Sequence, residues 1–188
     1  MPKRSLRSQL LAERRAVSHD KWMEASRHAQ NNLLSLREYL SAGCIALYAA
    51  VHREIDTDLI CSAALESAKR ILYPAVCGDE MLFRQVESLD SLKKGLFGIP
   101  EPPETGINHL ADEPELIVVP GVAFDFSCHR IGYGKGYYDR FLKHPGRKAA
   151  LVGLCHDFQL IAGAIPADRH DIQMDIIVTD RRIIYREK

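Results

Sequence analysis

The ten residues Arg130-Ile131-Gly132-Tyr133-Gly134-Lys135-Gly136-Tyr137-Tyr138-Asp139 bring three alternate glycines, two basic side chains and a carboxylate into one short stretch. Peptide N–H groups beside glycine are unshielded, and glycine's access to positive φ lets successive amides converge on one anion. With Lys135 and Arg130 adding positive charge, the chemistry indicated is the binding of an oligophosphate. The stretch is not a Walker A loop, because no Ser or Thr follows the Gly-Lys pair. Nor is it the dinucleotide fingerprint, whose third glycine comes one residue later. A glycine turn with a surface lysine is otherwise unremarked loop structure; Arg130 and Asp139 in the same ten positions favour phosphate.

From Tyr137, the spacing of Tyr138, Phe141 and Leu142 predicts a helix whose N-terminal partial charge adds to the anion site. Asp139 in its first turn is a candidate magnesium ligand, since magnesium takes oxygen donors and is held by one or two carboxylates plus substrate. Asp171 and Asp175, four apart near the C-terminus, can complete a metal site or an anion clamp; turn chemistry is the simpler account of them.

A first helix is predicted from Pro2 or Lys3 to Val17, with Leu6, Leu10 and Val17 on one face. At about 100° per residue, Lys3, Arg7 and Arg14 fall within about 40° of one another beside that face, where they can point into a neighbouring site. Arg4 and Arg15 lie off this stripe, where solvation is the ordinary fate of a basic residue. Ser18 is an N-cap for a second helix with Asp20 in its first turn, and Trp22, Ala25, Ala29, Leu33, Leu36 and Leu40 continue it to Gly43. Trp22 is expected as a core or interface residue rather than as a stacking platform.

Cys44–Ala49, Arg70–Tyr73, Leu116–Val119 and Ala149–Leu154 are short apolar runs of the kind that form buried parallel strands. Pro74 is expected to stop the second of them, Met81–Val86 to form an edge strand after a turn at Gly78-Asp79, and Asp175–Thr179 and Arg182–Tyr185 to close the sheet. A third helix starts near Asp56 or Thr57, carrying Leu59, Ile60, Ala63 and Ala64 inward. Strands alternating with helices imply an α/β, Rossmann-like fold: three α/β/α layers with a mainly parallel central sheet, formed by residues 1–188 as a single domain. Ligands of such sheets bind beyond the carboxyl ends of the strands, where Glu54, the glycine stretch and His156 all fall. For His156 a structural role is the commoner outcome. Residues 89–116, rich in Gly, Pro and Glu, read as a long ordered loop, in which Phe97 either walls a pocket or simply packs.

With 27% charged residues and a formal net charge of zero, no overall basic field points to nucleic acid, so an anion site must be local. The five cysteines are odd in number, widely spaced and without a Cys-x-x-Cys pair, as expected of reduced, mostly buried thiols. No apolar run has the length of a membrane span and the first residues lack a secretory apolar core, so the expectation is a cytoplasmic monomer with no membrane or nucleic-acid partner.

Five stretches occur in the same order as in one known family. Lys3-Arg4-Ser5-Leu6-Arg7, Glu54-Ile55-Asp56-Thr57, Gly98-Ile99-Pro100-Glu101-Pro102, Val119 through Asp125, and Arg130 through Asp139 together resemble the 5-formyltetrahydrofolate cyclo-ligases, also called methenyltetrahydrofolate synthetases. The resemblance implies ATP- and magnesium-dependent conversion of 5-formyltetrahydrofolate to 5,10-methenyltetrahydrofolate, with ADP and phosphate released. It implies that Lys3, Arg4 and Arg7 meet the ATP phosphates from the first helix, with Arg130, Gly132, Gly134, Lys135, Gly136, Tyr137 and Tyr138 around them. Lys135 and Arg130 are the implied catalytic pair, Glu54, Tyr133 and Tyr137 the implied folate contacts, and Asp139 and Asp171 the implied magnesium ligands. Tyr133 stands at a variable position of the family pattern. Two other classes share some of these features: a sugar-phosphate isomerase or acyl-transfer enzyme, which would not need Lys3, Arg7 or a metal-binding Asp139, and a nucleotide- or RNA-binding module without turnover.

Overall fold

The structure is a computed structural model and describes residues 3–95, 98–104, 108–109, 114–143, 148–166, 168 and 171–187. Phe97 lies outside the described residues. In chain order the elements are α1 (Lys3–Ala16), α2 (His19–Leu34), α3 (Arg37–Ser41), β1 (Cys44–Ala46), α4 (Asp58–Glu66), β2 (Arg70–Cys77), β3 (Glu80–Val86), β4 (Lys93–Lys94) and β5 (Pro100–Glu101). They continue with β6 (Asn108–His109), β7 (Leu116–Val119), β8 (Ala123–Asp125), β9 (Arg130–Ile131), α5 (Tyr137–Leu142), β10 (Ala150–Leu154), β11 (Leu160–Ile161), β12 (Ile176–Val178) and β13 (Ile183–Tyr185).

The main sheet has eight strands in the order β13-β12-β10-β7-β1-β2-β3-β6. Its middle is parallel from β12 to β2, and antiparallel strands finish both margins. This is the α/β fold with a mainly parallel sheet that the alternation of apolar runs implies. In β7 every residue is buried, and its side chains alternate between two cores. Leu116 and Val118 face the helices α2, α3 and α4, whereas Ile117 and Val119 face Phe124, Leu142 and Met174. That second face is covered by α5 and by a small sheet, β11-β8-β9, on which α1 packs through Leu10 against Val122, Ala123 and Ile131.

Several local expectations change. Ser18 does cap α2, accepting from Lys21 N at 3.4 Å, but that helix ends at Leu34 rather than near Gly43. Ser35 turns its hydroxyl onto Asn32 O at 2.7 Å and Leu36 is extended, so α3 starts on a new axis, with Tyr39 buried and Leu40 64% exposed. Pro74 does not stop β2, which runs on to Cys77 with Pro74 opposite Phe83 of β3. β1 has parted from β2 beyond Leu72, so no ladder donor is required on that side and a proline fits. At α4, Asp56 Oδ1 accepts from Asp58 N at 2.9 Å while Thr57 donates to Tyr48 O, and Leu59 is exposed instead of facing inward. Residues 89–101 hold a short hairpin of β4 and β5 where a continuous loop was expected. All five cysteines are free thiols, four of them buried. Among the described residues no helix is long and apolar enough to cross a membrane.

Candidate functional site

The glycine stretch leaves β9 at the carboxyl edge of the sheet and reaches α5 with Gly134 at φ +99° and Gly136 at φ +71°. Both angles are left-handed, which an L side chain adopts only at a cost, so the turn into α5 needs glycine there. α5 starts at Tyr137 as the spacing predicts, but is only six residues long and adds correspondingly little axial dipole. The loop is fixed by Arg140, which donates to Lys135 O and Asp79 O, both at 2.9 Å, and lies 5.0 Å from the Tyr137 ring centroid.

Lys3 and Arg7, one turn apart on α1, both turn into the same cleft. Arg7 Nε donates to Gly132 O at 2.9 Å, and Lys3 Nζ lies 2.7 Å from Asp168 and 2.6 Å from Asp171. Burial disfavours the Lys3 ammonium, but its bonds to these two carboxylates prevail and raise its pKa. Burial likewise disfavours the Asp171 anion, and the bonds from the Asp168 amide and Lys3 prevail there to lower its pKa. Arg4 is exposed on the outer side of α1 and is not brought to the cleft.

Arg130, 8% exposed, donates through Nη2 to Asp139 Oδ1 at 2.7 Å and through Nη1 to Pro120 O at 3.4 Å. Its Nε and the hydroxyl of Tyr138 are buried polar atoms without a hydrogen-bond partner among the described residues. Both atoms belong to cleft-lining residues, and an unpaired buried polar group is costly. Lys135 lines the same wall. Asp139 and Asp171 both face the cleft, and each has one carboxylate oxygen engaged by a cation. Among the described residues no cluster of three or more His, Cys, Asp or Glu is placed to hold a metal. Asp139 and Asp171 are oxygen donors of the kind that magnesium takes together with ligand oxygens. Asp175 is elsewhere: it accepts from Leu151 N at 2.9 Å and Arg186 at 2.7 Å, a structural task.

The cleft, of about 620 Å³, is also lined by an apolar set, Tyr48, Pro74, Val76, Met81 and Ile99, which forms an apolar wall. Sequence reasoning missed this wall, whose members come from three separate segments. Tyr133 and Tyr137 line the cleft, but Glu54 does not. Its side chain is buried behind Tyr133, whose hydroxyl donates to Glu54 Oε1 at 2.7 Å, while Val51 N donates to Oε2 at 3.0 Å. Burial raises the Glu54 pKa, opposed by Arg14, whose Nη1 is 3.7 Å from Oε1. Arg14 was legible only as a member of the basic stripe on α1. His156 is structural: it is buried, its Nε2 contacts Arg53 O at 2.9 Å, and burial lowers its pKa. Trp22 is half-buried, donating to Glu54 O at 2.6 Å beneath the Arg53 guanidinium.

The model of the 5-formyltetrahydrofolate cyclo-ligase family matches residues 1–180. The 5-formyltetrahydrofolate cyclo-ligase of Mycolicibacterium smegmatis is 30% identical over 191 residues, covering 96% of this chain and 94% of its own. The solution structure of the 5,10-methenyltetrahydrofolate synthetase of Aquifex aeolicus superposes with a TM-score of 0.88 at 35% identity, covering 100% of this chain and 94% of that one. A 5,10-methenyltetrahydrofolate synthetase from Mycoplasma pneumoniae superposes with a TM-score of 0.79 at 27% identity, over 96% and 99% of the two chains.

Proposed function

Since the chain belongs to the 5-formyltetrahydrofolate cyclo-ligase family, we propose that it closes 5-formyltetrahydrofolate to 5,10-methenyltetrahydrofolate, consuming ATP and releasing ADP and phosphate. The observation that carries this reading is that one cleft is lined both by cations with a glycine-rich loop and by an apolar wall. Lys3, Arg7, Arg130 and Lys135 suit a triphosphate, and Tyr48, Pro74, Val76, Met81 and Ile99 suit a flat heterocycle.

The chemical problem is the formyl amide, whose nitrogen donates into the carbonyl and makes it a poor electrophile. Transfer of the γ-phosphoryl group to the formyl oxygen, with ADP leaving, converts that oxygen into a leaving group. The second folate nitrogen then attacks the same carbon, its N–H proton is lost, and the C–O bond breaks with phosphate departing. Phosphoryl transfer demands alignment and charge stabilisation more than a covalent protein group. Arg130 and Lys135 would stabilise charge on the transferred group, and the Gly132, Gly134 and Gly136 segment would supply amides to the phosphates. Lys3 and Arg7 would close over them from α1, and Tyr137 and Tyr138 would border the junction with folate. Asp139 and Asp171 would hold magnesium, which supplies charge neutralisation on phosphate oxygens. Glu54 would act on the folate side through Tyr133, whose phenol lies between that carboxylate and the cleft.

The test is the ultraviolet absorbance of methenyl product from protein, magnesium, ATP and 5-formyltetrahydrofolate, with each component omitted in turn. Product that requires all of them supports the reading. A folded protein that binds ATP and yields none overturns the substrate assignment.

A further inference from the structure

Arg14 is an arginine with 1% exposure that is not among the residues lining the cleft. Its guanidinium nevertheless reaches four residues in three segments. Nε donates to His52 O at 3.1 Å, Nη1 donates to Gly121 O at 3.3 Å and lies 3.7 Å from Glu54 Oε1, and Nη2 donates to the Tyr133 hydroxyl. Those partners stand 38, 107 and 119 positions away in the chain at His52, Gly121 and Tyr133. We propose that Arg14 is a positioning residue for the folate side of the cleft, holding the Tyr133 phenol and the turn that carries Glu54 in one fixed arrangement. The inference rests on the cyclo-ligase reading above.

Three observations support the assignment. The turn at His52 and Arg53 is left-handed at two successive non-glycine residues, φ 50° and 63°, a conformation that persists only when its surroundings impose it. Arg14 holds the first carbonyl of that turn and His156 the second, so two buried side chains impose it. Next, Tyr133 is 39% exposed and lines the cleft, yet its hydroxyl is turned inward to Glu54 and Arg14, which fixes the ring as part of the wall. Finally, the fork of a guanidinium donates in several directions from one plane, which a lysine ammonium cannot reproduce at the same sites.

The charged and titratable groups around Glu54 are Arg14 from α1, Tyr133 from the glycine loop, Tyr138 from α5, and Tyr48, which follows β1. Arg14 is the cation among them, and its removal leaves a buried carboxylate whose protonation becomes easier. A role confined to packing would not move that protonation.

The experiment compares the wild type with Arg14→Met, Arg14→Lys and Tyr133→Phe. It reads KM for each substrate, the pH profile of kcat/KM, and calorimetric binding of 5-formyltetrahydrofolate without ATP. Arg14→Met is expected to raise KM and Kd for 5-formyltetrahydrofolate about tenfold, the scale of losing one charge-assisted contact. KM for ATP should stay within about twofold, and the acid limb of the profile should move to higher pH. Arg14→Lys should keep the acid limb and part of the KM rise. Tyr133→Phe, at a part-exposed position, should raise the folate constants without unfolding and give a non-additive double variant with Arg14→Lys. Equal changes in both KM values, or folate constants unchanged in folded Arg14→Lys and Tyr133→Phe, overturn the proposal alone. A wild type that neither binds nor converts 5-formyltetrahydrofolate overturns the function as well.

Discussion

Arg130 gives one guanidinium nitrogen to Asp139 at 2.7 Å, so a principal cation of the cleft is paired with a carboxylate that also faces the cleft. The two side chains are 4% and 30% exposed, so the pair is largely withdrawn from water and each partner limits what the other can bind. Asp139→Asn removes the competitor for Arg130 and the better metal donor together. Binding of metal-free ATP should strengthen, while turnover with magnesium should fall on the order of a hundredfold. Calorimetry in EDTA and steady-state kinetics across magnesium concentrations read the two effects separately; parallel changes would contradict the shared role.

Lys135→Ala tests the loop cation directly. Its side chain is exposed at the cleft wall, so folding stability should change by no more than about 0.5 kcal/mol. ATP-dependent turnover should fall on the order of a hundredfold. A thermal melt beside the absorbance assay decides, and unchanged turnover would remove Lys135 from the proposed mechanism.

Gly136→Ala addresses the backbone. At φ +71°, with the added Cβ 3.0 Å from Arg140 Nη1, alanine should destabilise the protein by about 1–2 kcal/mol and loosen the loop. The expected result is a lower urea midpoint together with a raised KM for ATP. A wild-type midpoint would mean that the turn relaxes freely.

Asp58 gives a pH signature away from the cleft. Burial, then the neighbouring Asp56, push its pKa up from 3.8 to about 6. The folded state thus holds the proton more tightly than the unfolded chain, and stability falls as pH rises through that window and levels above it. Asp58→Asn should flatten this decline, a difference of about 1 kcal/mol at pH 7 once solvent screening of an exposed residue is allowed for. Urea unfolding of both proteins at intervals from pH 4 to 7 measures it; parallel curves would exclude Asp58 as the source.

The parallel strands were legible because each is a short run of apolar residues that buries both of its faces, as β7 does. The small sheet was not: β9 and β11 are two residues each, too short for any period. Pro74 misled because its tolerance depends on where β1 leaves β2, which is a tertiary matter. Among site residues, Lys3 and Arg7 were legible from helical spacing and the glycines from their alternation. Glu54 was legible as a residue near a strand end, but its burial behind Tyr133 was not, since that partner lies 79 positions away. The apolar wall has no local signature, being assembled from residues scattered between Tyr48 and Ile99.

The contact from Lys3 to Asp171 spans 168 residues, and α1 rests on Val122, Ala123, Ile131 and Ile165. A ribosome therefore releases α1, apolar stripe and phosphate arms included, long before anything exists for it to dock on. The elements between can pair in the order they emerge, but the two ends meet only after the tail is made. A nascent or truncated chain would carry the glycine loop without its α1 cations in place, so affinity for phosphate would report that synthesis has passed Asp171.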